Sequence, residues 1–223
     1  MTATTPDARP FDALPRGRHA APAAVVWQSQ RGRMLQGVAA AAAEKGYARL
    51  AVADVIERAG VSRKTFYEHF ANKEECFLAA YDAGVEALLA AIDAAVTAAS
   101  SWLEAVHAGT RCYLEMLAAN PAFAHTFLIE VQGAGAAAIA RRTAVHRRFA
   151  EQLAGTHRQA RRALGSLPEP PPHAFRACVG AVHELVVDHL LAQGAETLPE
   201  LEDRLVDIEL RLLVGRELDS VSG

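Results

Sequence analysis

The stretch IERAGVSRKTFYEHFANKEECF, residues 56–77, constrains the fold of this chain more than any other. Just upstream, LAVADVIERAG places Val52, Val55, Ile56 and Ala59 on one helical face. Gly60 then supplies a residue that reaches the left-handed region and stops the helix. Ser62 is a good cap for another short helix, and Phe66 and Phe70 recur at i and i+4 as its buried side. Two short helices joined by a tight glycine-containing turn make a helix-turn-helix, which holds its second helix out for a major groove. The same turn also joins ordinary helical hairpins, so geometry alone leaves both readings open.

Side-chain chemistry favours the first. With Phe66 and Phe70 turned inward, Arg63, Lys64, Thr65, Tyr67, Glu68 and His69 are expected on the opposite face. Arg and Lys donate to guanine acceptor edges, Thr meets a thymine methyl or a phosphate, and Tyr offers a phenolic donor to phosphate oxygen. Next, NKEE at residues 72–75 caps a fourth helix with Asn72 and sets Lys73 at its positive N-terminal end. A cation there opposes the helix dipole, and is better accommodated where a phosphate also approaches.

The charge distribution agrees. Net charge is −3 over 223 residues. Residues 16–75 nevertheless carry ten Lys and Arg against six acids, whereas residues 76–223 carry twelve Arg against eighteen acids. All three lysines, Lys45, Lys64 and Lys73, lie in the first region. A basic N-terminal third joined to an acidic remainder is the footprint of one domain that meets a polyanion and another that does not.

Residues 1–25 hold four prolines and no apolar periodicity, and read as a flexible arm. Its Arg16 and Arg18 are either incidental charge on a solvated tail or donors that reach phosphates or a minor groove. From Trp27 to Glu44, Met34, Leu35, Val38 and Ala42 mark the apolar face of a first helix, which Gly46 ends. Beyond residue 77 long helical runs follow, with a new helix starting at Pro121, an Arg-bearing one over residues 140–164, a proline break at 167–173, and two more over 174–193 and 198–217. Alanine is abundant, β-branched residues are sparse, and 51% of the chain is hydrophobic, so the expected class is all-α. Neither a secretory leader nor an uninterrupted apolar span is evident, which points to a cytoplasmic protein without a membrane partner. Cys76, Cys112 and Cys178 form no pairwise framework and no CxxC motif, and read as small apolar side chains.

Residues 29–82 resemble the DNA-binding domain of the TetR family of bacterial transcriptional regulators. A first helix ending in EKGY, a core IERAGVSRKTFYEHF and a following NKEE occur together and in register. Phe66 stands where many members have Leu. The resemblance implies an arm over residues 1–25, a helix-turn-helix domain over 26–76, and a helical ligand-binding and dimerisation domain over 77–223. It further implies a homodimeric repressor on palindromic operator DNA, released by a small hydrophobic or amphipathic effector. Tyr67 and Lys73 would then contact phosphates, Arg63, Lys64, Thr65 and His69 would lie near bases, and Ser62, the cap of the reading helix, would join them in the DNA-binding set.

In the second domain, Trp102, Val106 and Tyr113 are expected on one side of the fifth helix, with Met116, Phe123, Phe127, Phe149 and Glu130 facing them. Such an aromatic stripe is either plain core or, as the resemblance implies, the wall of an effector pocket. Val179, Val182, Val186 and Leu190 form an apolar stripe on one of the last two helices, and Leu201, Leu205, Ile208 and Leu212 form one on the other. These stripes must serve the protomer core in part, and the resemblance assigns them to a four-helix dimer interface. HELVVDH, residues 183–189, resembles the start of a zinc-protease helix, but its second histidine sits at i+6, on a different face. His183 therefore belongs to a pocket rim or interface, and neither a metal site, a cofactor nor a catalytic residue is expected. The rival readings are a helical enzyme or metal-binding protein that borrows the tri-helical start, and a DNA-binding protein with no small-molecule switch.

Overall fold

The computed structural model describes residues 23–214, and every regular element among them is helical. Arg16 and Arg18 lie outside the described residues. The chain divides into two compact units, with the boundary between Ala80 and Tyr81.

In the first unit, α1 (Ala23–Lys45) begins four residues before the expected Trp27 and buries Met34, Val38, Ala41 and Ala42. A Cβ on Gly37 would meet the Val55 carbonyl oxygen and the Arg58 Cβ at 3.3 Å, so this glycine sets how closely α1 and α2 (Val52–Ala59) pack. The start of α2 is held by Asp54, whose carboxylate accepts the Ala51 N–H at 2.9 Å and the Lys45 ammonium at 2.6 Å. Those bonds, that with Lys45 foremost, hold its carboxyl below the usual range. Gly60 ends α2 with φ +60°, as expected, and Arg33 Nη1 donates to the Ala59 carbonyl at 2.7 Å, which satisfies one of the orphaned acceptors. α3 (Arg63–His69) starts on Ser62, whose Oγ accepts the Thr65 N–H at 3.0 Å. α4 (Lys73–Ala98) starts on a reciprocal cap in which Asn72 accepts from Glu75 N at 2.9 Å and Glu75 accepts from Ala71 N at 2.6 Å. Phe66, Phe70, Cys76 and Phe77 complete this core.

The second unit contains the rest of α4, then α5 (Trp102–Ala119), α6 (Pro121–His125), a π-helical turn (Thr126–Glu130), α7 (Val131–Gly133), α8 (Ala136–Leu164), α9 (Ala174–Gln193), a 3-10 turn (Leu198–Leu201) and α10 (Glu202–Val214). α8 packs on α9, α9 on α10, and α10 on α5. Val106, Val206 and Leu210 form one cluster with Trp102 and Leu103, and Ala174, Cys178 and Leu213 form another with Phe175. Glu202, in the first turn of α10, receives Arg111 through two bonds of 2.8 Å and His107 at 3.0 Å, which ties that end to α5. The Arg111 guanidinium, more than His107, holds the Glu202 carboxyl below its ordinary range. Two arginines of α8 reach α4, with Arg141 pairing with Asp82 and Arg148 pairing with Glu86 at 2.9 Å.

Gly84 has a packing role that the sequence does not disclose. A Cβ there would sit 2.0 Å from Phe123 Cε2, inside the ring's volume, and Phe123 in turn stacks on Phe127 at 5.3 Å. Gly84→Ala should therefore destabilise by about 1–3 kcal/mol, despite the better helix propensity of alanine. Equilibrium urea unfolding checks this, and an unchanged or raised midpoint would show that the Phe123 ring moves aside freely.

Among the described residues, no helix is long and apolar enough to cross a membrane.

Candidate functional sites

The first site is the outer face of α3. Lys64 is open, with 87% of its side chain exposed and Glu68 at 3.8 Å. Arg63 is also exposed, its guanidinium 5.6 Å from the Tyr67 ring centroid, and Tyr67 itself is 46% exposed. Thr65 is half-buried, and its Oγ1 lies 2.9 Å from Ser62 Oγ, so it serves the cap as well as the surface.

His69 corrects the expectation of an open face. It is only 8% exposed, it stacks on Trp27 with centroids 3.5 Å apart, and neither ring nitrogen has a hydrogen-bond partner. Burial first, and the Arg31 charge second, hold its pKa below the usual imidazole value. The reason is helical periodicity, because His69 stands at i+3 from Phe66 and so shares its buried face. Its job here is to seat α1 on α3.

Lys73 also differs. Its Nζ donates to the carbonyls of Leu50 at 2.8 Å and Tyr47 at 3.1 Å, and lies 4.7 Å from the Tyr47 ring centroid. The cation is thus accommodated at the start of α4 by carbonyl oxygens of the α1–α2 connection, with no phosphate required. One ammonium donor is left over for a further contact.

The second site is a partly open cavity of about 120 Å³ lined by α4, α5, α8, α9 and α10 with Phe127 from the π turn. Of the expected residues it brings together Val106, Tyr113, Phe127, Phe149 and His183. It leaves out Trp102, which joins the Val206 and Leu210 cluster and meets His157 edge-on at 6.0 Å. Phe123 is behind Phe127, against Gly84; Glu130 lies 3.6 Å from His125 Nδ1; and Met116 does not reach the wall. Helical spacing identified an apolar side of α5 but not where along it the cavity opens.

The wall also holds polar groups that helical periodicity alone does not single out, Glu209, Thr110 and His146 among them. Glu209 is 9% exposed and faces Thr110, whose hydroxyl donates to its carboxylate oxygens at 3.3 and 3.4 Å. Burial pushes its pKa up to about 8. His146 meets His183 edge-on with centroids 4.7 Å apart. Burial is the main cause that takes both pKa values down to about 4, with the Arg142 charge and the neighbouring Arg176 or His146 adding to it. A signal for Glu209 was present, since it sits at i+4 from Leu205 and so on the buried stripe of α10. His189 turns elsewhere, with Nε2 2.9 Å from Thr197 Oγ1, so it and His183 do not converge.

Part of the two stripes expected at a dimer interface is taken up by the protomer itself. Val186 and Leu205 are fully buried within the protomer, Leu201 is 7% exposed, and Val179 and Val182 line the cavity. Leu190 and Ile208 are half-buried. Only Leu212, at 40%, is exposed, together with Leu191, at 66%, which the sequence reading had not singled out.

A short glycine-closed helix leading into a capped, outward-facing basic helix, both seated on a longer one, is a helix-turn-helix domain. Residues 35–80 match the model of the family described as bacterial regulatory proteins, tetR family, and this domain is similar to that family. No curated protein matches the chain. Among solved structures it is similar to the fatty acid degradation regulator FadR from Bacillus halodurans, at 18% identity and TM-score 0.73, covering 84% of this chain and 97% of that one. It is similar to FadR from Bacillus subtilis in complex with stearoyl-CoA, at 16% identity and TM-score 0.73, covering 83% and 99%. It is also similar to PfmR from Thermus thermophilus, at 22% identity and TM-score 0.65, covering 84% and 97%. These likenesses show the shared all-α fold.

Proposed function

We propose that this protein is a ligand-responsive transcriptional repressor that binds palindromic operator DNA as a homodimer in the cytoplasm. Residues 26–76 would read the DNA, and residues 77–223 would hold the effector and the partner subunit. The observation that carries the reading is α3, whose apolar side is buried by Phe66 while Arg63, Lys64 and Tyr67 stand free on the side that a major groove would meet. Arg63 and Lys64 are the base readers. Tyr67 anchors on a phosphate, Thr65 lies near the bases, and Lys73 contributes its remaining donor to a phosphate. The cavity supports a small-molecule switch, and a solved protein of this fold was captured with stearoyl-CoA. Because α4 carries Phe77 in the first core and Ile92 and Val96 in the cavity wall, occupancy can act on the DNA-reading unit along one continuous helix. Exposed Leu191 and Leu212 mark the dimer surface on α9 and α10.

The test is an anisotropy titration of purified protein against its own upstream intergenic DNA and a scrambled duplex, at several salt concentrations. Selective binding with two subunits per site is expected, and equal weak binding to both duplexes would sink the proposal for that DNA. Lys64→Ala or Arg63→Ala should weaken binding to the selected site by about 1–3 kcal/mol and relax base preference. Equal loss on every sequence would demote that side chain to a phosphate anchor. Lys73→Ala should differ in kind, lowering the melting temperature of the free protein as well as affinity, because it removes two carbonyl-bound donors.

A further inference from the structure

The cavity has apolar walls and a polar corner that lacks a counterpart. His183 is 5% exposed and lines the cavity, yet its Nε2 is buried without a hydrogen-bond partner. A buried nitrogen left unmatched is costly, and native structures keep such groups where a ligand or water completes them. His146 lies beside it in the same wall. One helical turn before His146, Arg142 has a buried Nε that also lacks a partner, and among the described residues no carboxylate forms an ion pair with it. Arg176 of α9 adds positive charge at the same place. The other titratable groups of the wall are Tyr113 from α5, Cys178 from α9 and Glu209 from α10. Burial pushes the Tyr113 phenol and the Cys178 thiol well up, and holds the Glu209 carboxyl protonated through neutral pH, so none of the three brings a negative charge to the cavity. Neither arginine lines the cavity, so their charges act on its histidine corner from behind the wall.

We infer that this cavity takes a small monocarboxylic acid, its carboxylate on His183 and His146 and its apolar body against Phe127, Phe149 and Val182. The inference rests on the effector-binding reading above and deepens it. Size decides against larger amphiphiles, since about 120 Å³ is of the order of an engineered cavity of roughly 150 Å³ that holds benzene. Charge decides for an acid, because an anion entering beside two neutral imidazoles draws one proton from solvent onto the pair, and the resulting charge-assisted hydrogen bond is about twice as strong as a neutral one.

Calorimetric titration of the full-length protein at pH 7, without DNA, provides the test, with benzoate and hexanoate as probes and benzamide and benzylamine as controls. Benzoate or hexanoate should bind, with benzamide weaker by roughly tenfold to a hundredfold. Repeating the titration in buffers of different ionisation enthalpy should reveal uptake approaching one proton per site. His146→Gln combined with His183→Gln should remove both the affinity and the uptake, while circular dichroism shows the helical fold retained. Benzamide binding as well as benzoate would overturn the inference in favour of a plain apolar cavity, benzylamine binding in place of the acids would transfer the polar role to Glu209, and no binding by either acid would also overturn it. Operator binding is measured separately, so loss of acid binding with DNA binding intact refutes this inference alone, and the converse refutes the regulator reading.

Discussion

Leu205→Asp should leave no cooperatively folded second unit. Leu205 is fully buried, so the change deletes a packed leucine and puts a carboxylate in its place. Loss of the leucine alone costs about 2–5 kcal/mol, and desolvation of an unpaired charge adds several more. The sum is comparable with the 5–15 kcal/mol that typically separates folded from unfolded protein. A thermal melt followed by circular dichroism should show the loss directly, and a melting temperature within a few degrees of wild type would refute the placement of this residue. Leu212→Asp is the informative contrast, because Leu212 is 40% exposed on the same helix. It should preserve the fold and, if α10 forms the subunit contact, convert a dimer to a monomer in sedimentation or light scattering. The two variants separate core from interface, which a single substitution in the apolar stripe cannot do.

Glu209→Gln should make the protein more stable at pH 8 and remove a pH dependence that the wild type shows. The sign follows from proton linkage. The Glu209 carboxyl titrates near 4.5 when unfolded and at about 8 when folded, so between those values the folded state binds the extra proton. Its stabilising contribution is complete below pH 4.5 and declines as pH rises to about 8. His146 and His183 act in the opposite sense, since their folded values of about 4 lie below the ordinary 6.5. Their contribution is present above pH 6.5 and is lost on acidification towards pH 4. The histidines therefore dominate at acidic pH and Glu209 alone operates from about 6.5 to 8. There wild-type stability should fall by up to about 1.4 kcal/mol per pH unit, or on the order of 2 kcal/mol across the window. Glutamine keeps an acceptor for the Thr110 hydroxyl and cannot ionise, so its unfolding midpoint should be flat over the same interval. A variant that tracks wild type would show that Glu209 is not the group that titrates.

Both experiments concern residues on a single helix, and they show how far periodicity carries. Leu201, Leu205, Ile208 and Leu212 were read together as one stripe, yet the structure buries the first two and exposes the last. Glu209 lies within that stripe and was passed over because charged residues are so rarely buried. On α3 the same reasoning placed Phe66 correctly and His69 wrongly, although i and i+3 share a face. There position on the helix outweighs residue type. Caps were more dependable, and Ser62, Gly60 and Asn72 act where their chemistry required.

The sequence by itself therefore determined the all-α class, the ends of the short helices around Gly60 and the concentration of basic side chains on α3. Those properties depend on neighbours three or four residues apart, whose relative positions a helix dictates. The tertiary structure alone decided that Lys73 binds carbonyl oxygens, that Val186 and Leu205 serve the protomer core, and that His146, His183 and Glu209 share one cavity. His146 and Glu209 come from helices far apart in the chain. A local pattern specifies which face of a helix is apolar, and only packing specifies what that face meets.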